Sequence, residues 1–371
     1  MNSIFARQFC RMAFLLLGVF LTNSLLTRAQ EQAPASKTAA QQYKNIQALK
    51  DIPTDQLIPT MQFISGALGV DCEFCHVEHD MDKDDKKEKQ TARKMIEMEL
   101  AINKSHFNGE IEVTCYTCHR GSPHPVSTPV LTANAAKMPV HEHHEISAQE
   151  SLPSANQILD KYLAAIGGAD ALHKIKTRVQ KGTVDTRGEQ YPIEIYSEAP
   201  EKRLSISHPS FGESVTAFNS QSGWLTTPRG VHPMNPSERQ SARIDAQMYF
   251  PIQIHELYQE FKVLPGESID GHATFLVTAK GPSTPPLRLF FDQQSGLLLR
   301  MIRYTETPLG RNPLELDYAD YRDTNGVKIP SQWTLTRPSG SFTIRINSVQ
   351  QNVPIDEKLF VMPTIPETPH P

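Results

Sequence analysis

The sequence predicts an α+β chain of two domains, a small and mostly helical one followed by an antiparallel sheet or open barrel with helices. The length of 371 residues exceeds the roughly 100–200 of one ordinary domain. Helical periodicity dominates up to residue 125, whereas short alternating runs separated by turn signals begin after residue 153. Residues 126–153 between them are rich in proline and carry no apolar period, which is typical of a semi-rigid linker.

Composition excludes several classes of protein. Hydrophobic residues make up 39% and charged residues 21% of the chain, which argues against a disordered chain and against a multispanning membrane protein. The formal net charge is −4 and the sequence pI is near 6.4. This balance argues against general binding to nucleic acid.

The N-terminus predicts export. Arg7 and Arg11 precede an apolar run over residues 12–26, and small residues stand at the −3 and −1 positions of a cleavage site after Ala29. An uncleaved anchor is the alternative, although the run is shorter than the ~20 residues that span a bilayer. We therefore expect a signal peptide over residues 1–29, a flexible segment over 30–43, and a mature protein in the periplasm or on the outer face of the cytoplasmic membrane.

Two helices are predicted in the first domain. Four apolar residues recur at the spacing of one helix face: Leu57, Met61, Ile64 and Leu68. Thr54 or Asp55 can cap this helix, Pro59 fits an early turn, and Gly69 can end it. The second helix covers residues 91–103, with Met95, Met98 and Ile102 on one stripe. The charged run over residues 80–89 between the helices reads as a solvated loop or as a docking surface for a partner.

Two cysteine motifs carry the chemistry of this domain. They read Cys72-Glu73-Phe74-Cys75-His76 and Cys115-Tyr116-Thr117-Cys118-His119, and removal of the signal peptide leaves no other cysteine. CxxCH is the attachment signature of c-type haem. The two thiols form thioethers with the porphyrin vinyl groups, and the adjacent histidine supplies an axial nitrogen to the iron. The sequence thus predicts two covalent haem c groups, tethered by the four cysteines and ligated by His76 and His119.

Four cysteines in two CxxC pairs have two alternative uses. A zinc ion held by four thiolates would use both CxxC pairs, but it needs no histidine after each pair. A disulfide within each pair would give redox-active thiols, yet the surrounding sequence has no thioredoxin-like βαβ pattern.

The sixth ligands of the two irons are less well specified by the residues. A helix followed by a turn would bring Met61 over the haem face opposite His76, although a methionine on an apolar stripe is more often core. Ligation by His and Met would raise the reduction potential. Met95, Met98 and His106 are the candidates for the second iron.

The first domain resembles a known family. Residues 92–121 (ARKMIEMELAINKSHFNGEIEVTCYTCHRG), with Met61 and the first motif before them, resemble the tetrahaem cytochrome c subunit of photosynthetic reaction centres. The resemblance covers residues 44–125 and corresponds to the second, di-haem half of that subunit. It implies a domain of that type at 44–125, Met61 as the sixth ligand of the first haem, and a role in photosynthetic electron transport. The family's fourth haem takes a histidine from the first half, which has no counterpart here.

The second domain, residues 154–364, alternates short strands with turns. Ser154 can cap a helix through Ile166, a short helix over 169–176 can follow, and a helical insertion is expected over 236–261. Asn325-Gly326 is typical of a tight hairpin turn. The predicted strands cover residues 180–185, 193–196, 203–208, 214–218, 223–227, 274–280, 287–291, 297–304, 314–321, 333–336 and 341–346. Residues 365–371 form a tail.

The pattern of strands and turns in this domain resembles that of the periplasmic lipoprotein-carrier superfamily. The resemblance rests on GGADALHKIK, DYRDTNGVKIPSQWTL and NVPIDEKLFVMP. It implies a curved antiparallel β half-barrel with helices on its concave face, and a cavity that holds a lipid tail. The sequence carries no catalytic-triad, zinc-protease or phosphate-loop signature.

These observations predict an exported di-haem electron carrier with a redox protein as donor and another as acceptor, one of them a photosynthetic or respiratory membrane complex. A di-haem peroxidase-like enzyme is the first alternative, because it needs one iron with an open position. A protein that binds lipid or lipoprotein, with the haems as accessory groups, is the second.

Overall fold

The computed structural model describes residues 37–125, 152–186, 188–228, 230–281, 286–338 and 340–363. The expected signal peptide, most of the linker and the C-terminal tail lie outside these residues. The described chain is α+β: four helices and a 3₁₀ turn come first, and a large open antiparallel sheet with further helices follows. No helix among the described residues combines the length and the apolar character that crossing a membrane requires.

The helices of the first part are α1 (Ala39–Gln42), α2 (Thr54–Leu68), α3 (Lys87–His106) and α4 (Cys115–His119), with a 3₁₀ turn at Cys72–Phe74. Helix α2 agrees with the prediction, and Gly69 ends it in the left-handed conformation with φ of +67°. Its start differs from the prediction. Pro53 occupies the N-cap, and the Thr54 hydroxyl donates to the Lys37 carbonyl instead of capping the helix.

Helix α3 is longer than predicted. It begins at Lys87, within the run over 80–89 for which the sequence predicts a solvated loop or a docking surface. The buried face of this helix does not include Met95 and Met98. The buried residues are Lys89, Ile96, Glu99 and Asn103, while Met95 and Met98 are 40% and 47% exposed. The two methionines, predicted as candidate haem ligands, therefore lie on the exposed side of α3 and not in the core of the described chain.

One apolar cluster joins the first four helices. Its buried members are Ala39, Leu49, Leu57, Phe63, Ile96 and Leu309. Ala39 is fully buried and belongs to the segment that was expected to be flexible. Leu309 comes from the distant sheet, so the two parts of the chain share this core.

The second part has four helices, α5 (Ala155–Ala165), α6 (Ala169–His173), α7 (Pro236–Ala246) and α8 (Phe250–Leu257). Ser154 caps α5 as predicted, since its hydroxyl accepts from the Gln157 amide. Helix α6 stops at His173, short of the expected residue 176. The expected insertion over 236–261 is two helices, and the chain is extended again from Glu260.

Thirteen strands among the described residues form the sheet. They are β1 (Thr177–Thr186), β2 (Glu189–Glu198), β3 (Lys202–Ser207), β4 (Ser214–Asn219), β5 (Gly223–Thr227), β6 (Gly230–Pro233), β7 (Glu260–Pro265), β8 (Thr274–Lys280), β9 (Leu287–Asp292), β10 (Leu298–Thr307), β11 (Gly310–Thr324), β12 (Val327–Arg337) and β13 (Gly340–Gln351). A 3₁₀ turn at Glu357–Phe360 closes the described chain.

The strand order is β6-β5-β4-β3-β2-β1-β13-β12-β11-β10-β9-β8-β7, and every pairing is antiparallel. Because the order has two free ends, the sheet is open. The two edge strands, β6 and β7, are the ones that the sequence did not predict. The Asn325-Gly326 turn between β11 and β12 is confirmed, with positive φ at both residues.

The β10–β11 hairpin connects the sheet to the helical part. Leu309 at its tip is fully buried, and Gly310 approaches the Phe63 ring so closely that a Cβ there would overlap it. The Asn312 side chain donates a hydrogen bond of 2.6 Å to the Pro59 carbonyl of α2. Residues on both sides of Met61 in the helix therefore contact the hairpin.

Candidate cofactor-attachment sites

The first motif folds into a single helical turn. Asp71 caps it by accepting from the Phe74 amide at 3.2 Å, and the amide of His76 donates to the Cys72 carbonyl at 3.0 Å. Residues three and four apart in such a turn share one side. Cys72, Cys75 and His76 are therefore arranged as attachment to one planar group requires.

The second motif folds in the same way, as helix α4. Thr114 and Thr117 cap it reciprocally, with the Thr114 amide donating to the Thr117 hydroxyl at 3.0 Å. Arg120 ends the helix in the left-handed conformation with φ of +51°. Cys115, Cys118 and His119 repeat the spacing of the first site on one turn.

Both histidines are oriented by a backbone carbonyl. The Nδ1 of His76 lies 2.8 Å from the Met81 carbonyl oxygen, and the Nδ1 of His119 lies 2.9 Å from that of Ser122. A carbonyl can only accept, so each Nδ1 carries a proton, and in the neutral imidazole Nε2 then keeps its lone pair. This is the arrangement by which proteins orient an imidazole that ligates a metal. Sequence reasoning missed both carbonyl partners, since a backbone acceptor leaves no residue signal.

Met61 and the first motif line one recess. Helix α2 brings Met61 and Ile64 to the same apolar space as Cys75 and His76. Further walls come from Ile46, Leu49, Leu57, Ala92 and Ile96. An apolar recess that presents an imidazole and a thioether fits a haem whose iron takes one ligand from each.

A charged network holds the loop that follows the first motif. Arg93 binds both carboxylate oxygens of Asp84 at 2.8 Å, and Lys89 lies 3.1 Å from the same carboxylate. Lys89 also donates at 2.9 Å to the Met81 carbonyl that His76 contacts. The guanidinium of Arg93 holds the pKa of Asp84 well below its usual range. The run over 80–89 is thus partly structural, because Lys89 is only 8% exposed.

The second motif packs against the buried polar side of α3. The Cys115 thiol donates to the Glu99 carboxylate at 2.9 Å, and burial raises the pKa of that carboxyl. Asn103 binds Val113 through both its amide nitrogen and its carbonyl oxygen, which holds the segment just before the motif. These two polar residues belong to the quoted family pattern, yet hydrophobic periodicity gave no sign of their burial.

The three candidates for the second iron lie outside the buried stripe of α3. Met95 and Met98 are half-exposed, and His106 is exposed at the end of the helix. Other exposed large apolar side chains follow in the chain, at Phe107, Ile111 and Tyr116. A porphyrin attached to α4 would cover apolar surface of this kind, so these residues fit the second group.

Two of the four thiols, those of Cys75 and Cys115, lack the lowered pKa that redox-active CxxC motifs need. Burial raises the pKa of both thiols. Within the described residues the four cysteines are unbridged, and no three His, Cys, Asp or Glu side chains are grouped as a metal ion would need.

The two motifs are neighbours in space. The Gly121 amide after the second motif donates to the Ala67 carbonyl at the end of α2 at 2.9 Å. A Cβ on Gly69 would overlap the Gly121 carbonyl oxygen, so this approach requires glycine. Cys115 packs on the apolar cluster that Met61 also contacts. One shared core therefore lies behind both sites.

Residues 19–193 match the family model of the photosynthetic reaction centre cytochrome C subunit. The photosynthetic reaction center cytochrome c subunit of Thermochromatium tepidum is 38% identical over 106 residues, which cover 26% of each chain. That of Roseobacter denitrificans is 34% identical over 155 residues, 37% of this chain and 40% of the relative. Cytochrome c-554 of Chloroflexus aurantiacus is 33% identical over 103 residues, 25% of each chain.

These matches confirm the resemblance to the reaction-centre cytochrome family. The chain spans only a quarter to two fifths of the length of the relatives.

Several solved structures each match a little over half of this chain, and two of them illustrate the similarity. One is a domain described as an outer membrane lipoprotein-sorting protein from Vibrio parahaemolyticus, with 13% identity, 55% of this chain, 94% of that chain and a TM-score of 0.40. The other is a LolA superfamily protein from Nitrosomonas europaea, with 16% identity, 56% of this chain, 98% of that chain and a TM-score of 0.40.

Proposed function

We propose that this chain is an exported electron carrier that holds two covalent haem c groups. Cys72 and Cys75 tether the first group, and Cys115 and Cys118 tether the second. A haem c supplies a centre that gains and loses one electron. The chain's own residues supply attachment, axial nitrogens and apolar burial, which are the means by which a protein tunes such a centre.

The observation that carries the proposal is the matched geometry of His76 and His119. In each motif one helical turn presents two thiols and an imidazole, and a backbone carbonyl holds Nδ1 so that Nε2 is available. A zinc site or a pair of disulfides would not require this orientation twice. Met61 in the first recess supports His/Met ligation there.

Mass spectrometry of the protein matured in a cell with the haem-attachment machinery tests the number of haems. The parent should carry the mass of two haems, and Cys115→Ala with Cys118→Ala should carry one. Cys72→Ala with Cys75→Ala is the matched control and should also carry one, with a different midpoint potential. A secreted parent without haem would contradict the proposal, as would two haems in either double variant.

The second iron has Met95, Met98 and His106 as candidate ligands. Each should be replaced singly by alanine and the ferrous protein exposed to carbon monoxide. In the parent, absence of carbon monoxide binding supports a carrier with both irons fully ligated. Binding at one haem supports the peroxidase-like alternative. A variant that gains carbon monoxide binding identifies the ligand.

The partners follow from the same proposal. An electron carrier needs a donor and an acceptor, and the matched relatives are named as subunits of photosynthetic reaction centres. We propose a photosynthetic or respiratory membrane complex as one of the two. Export through the N-terminal signal would place the chain in the periplasm or on the outer face of the cytoplasmic membrane, where it can reach such a complex.

The sheet supports a second role, binding of a lipid-like molecule. A cavity of about 220 Å³ lies between the sheet and helices α5 to α8. Its apolar walls include Ile244, Met248, Leu298, Met301, Leu316 and Trp333. Analysis of lipid extracted from the parent, compared with a variant lacking residues 151–371, tests whether the sheet retains such a ligand.

A further inference from the structure

The cavity of the sheet holds two arginines in one row. In the antiparallel register Arg178 of β1 faces Ser197 of β2, and Ser197 faces Arg203 of β3. Residues in one row of a sheet project from the same face, and two strand spacings separate the arginine backbones by about 9–10 Å. Both side chains line the cavity, within reach of a single ligand.

Neither guanidinium forms an ion pair with a carboxylate among the described residues. Asp245 is the one carboxylate among the described residues that line the cavity, and it pairs with Arg303 at 3.0 Å. No hydrogen bond or ion pair of the Arg178 or Arg203 side chain is made within the described chain, and Nε of Arg178 is buried without a partner. Lys328 adds a third positive charge to the wall.

Burial of an unpaired guanidinium is unfavourable. Loss of hydration, together with the nearby charge of Arg203, lowers the pKa of Arg178 to about 10. Burial also lowers the pKa of Arg203, against the opposing effect of Asp245. A buried charge becomes favourable when an opposite charge and good hydrogen bonds reach it.

We infer that the cavity binds an amphiphile whose oxyanion head, a carboxylate or a phosphate ester, is held between Arg178 and Arg203. Guanidinium matches both oxyanions through two parallel hydrogen bonds. The apolar body of the ligand would lie against Met248 and Trp333. Apolar walls of this kind favour an amphiphile over a free anion, because a free anion has no apolar surface to bury there. This inference rests on the proposed ligand-binding role of the sheet and is independent of the haem assignment.

Calorimetric titration of the full, haem-loaded chain tests the inference with four probes: octanoate, octan-1-ol, octyl phosphate and inorganic phosphate. Octanoate should bind about tenfold or more tightly than octan-1-ol, because hydrogen bonds to charged groups contribute about that factor. Arg178→Met and Arg203→Met should each weaken octanoate by about tenfold or more and leave octan-1-ol unchanged. Arg345→Met is the matched control, since Arg345 is exposed on β13 and pairs with Asp185.

Thermal unfolding without ligand separates binding from a structural role. An arginine that serves a ligand is unpaired in the free protein, so Arg178→Met should unfold at the same temperature as the parent or a higher one. At one octanoate concentration the midpoint of the parent should rise more than that of Arg178→Met, because the weaker binding of the variant stabilises it less. A large loss of stability in ligand-free Arg178→Met, absent from Arg345→Met, would show that the arginine is structural and would overturn the inference.

The remaining outcomes distinguish the inferred oxyanion site from the proposed ligand-binding role of the sheet. Equal binding of octanoate and octan-1-ol, insensitive to both arginine variants, would overturn the oxyanion site and keep an apolar ligand site. If inorganic phosphate binds as tightly as octyl phosphate, the inference that the ligand is an amphiphile is overturned, and the site binds a free anion. Failure of all four probes to bind would overturn this inference together with the proposed ligand-binding role.

Discussion

Replacement of Leu309 by alanine should destabilise the helical part of the chain, although Leu309 belongs to the sheet. Its side chain is fully buried among Leu57, Phe63 and Ile96. Truncation of a buried leucine to alanine costs about 2–5 kcal/mol, with the larger values where the surroundings cannot close the cavity. The upper half of this range is expected, because Asn312 and Gly310 hold the hairpin backbone close to α2.

The assay is native-state hydrogen exchange followed by mass spectrometry. Peptides from residues 54–68 should lose protection in Leu309→Ala, while peptides from the far side of the sheet keep theirs. Leu289→Ala is the matched control, since Leu289 is equally buried in the sheet core and lies outside the helical cluster. Leu289→Ala should lower the protection of peptides from the sheet and leave that of residues 54–68 unchanged. Unchanged protection of residues 54–68 in Leu309→Ala would refute the docking of the hairpin.

Three further predictions concern the helical part. Met61→Ala should lower the midpoint potential of one haem without changing the haem count, because a methionine ligand raises such potentials; a redox titration with unchanged midpoints would remove Met61 from the site. Gly69→Ala should cost about 1–3 kcal/mol in urea unfolding, since φ is positive there and a Cβ would overlap the Gly121 carbonyl; equal stability would contradict the close approach. Arg93 lowers the pKa of Asp84 in the folded chain. Their pairing therefore stabilises the fold fully at pH values above the ordinary carboxyl pKa of about 4, and this stabilisation is lost as the pH falls towards the lowered pKa of Asp84. Asp84→Asn should therefore be less stable at pH 7 and differ less from the parent below about pH 4, and a pH-independent difference would be the contrary result.

Local signals in the sequence correctly predicted two helix ends and one hairpin turn. Ser154 caps α5, Gly69 ends α2 and Asn325-Gly326 makes the hairpin turn, because each is decided by neighbours within a few residues. The edge strand β6 was missed, since its four residues show little alternation of burial. The strand β7 was missed because its first residues fell within the expected helical insertion over 236–261.

The buried face of α3 shows what hydrophobic periodicity cannot predict. Met95, Met98 and Ile102 have the spacing of a core stripe, yet the structure buries Glu99 and Asn103 instead. These two polar side chains bind Cys115 and Val113, so their burial is favourable only because the second motif comes back against them. A contact that depends on where a later segment returns has no signature within the helix itself.

The position of Met61 illustrates how distant segments together define a site. Its helix is held near the start by Asn312, which binds the Pro59 carbonyl, and near the end by Gly121, which binds the Ala67 carbonyl. The first contact comes from the sheet and the second from the chain after the second motif. Rotation or translation of α2 would break both hydrogen bonds and displace Phe63 from the hairpin. The sheet and the second motif therefore act as positioning elements for the first site, which explains physically why the two parts of this chain share a core.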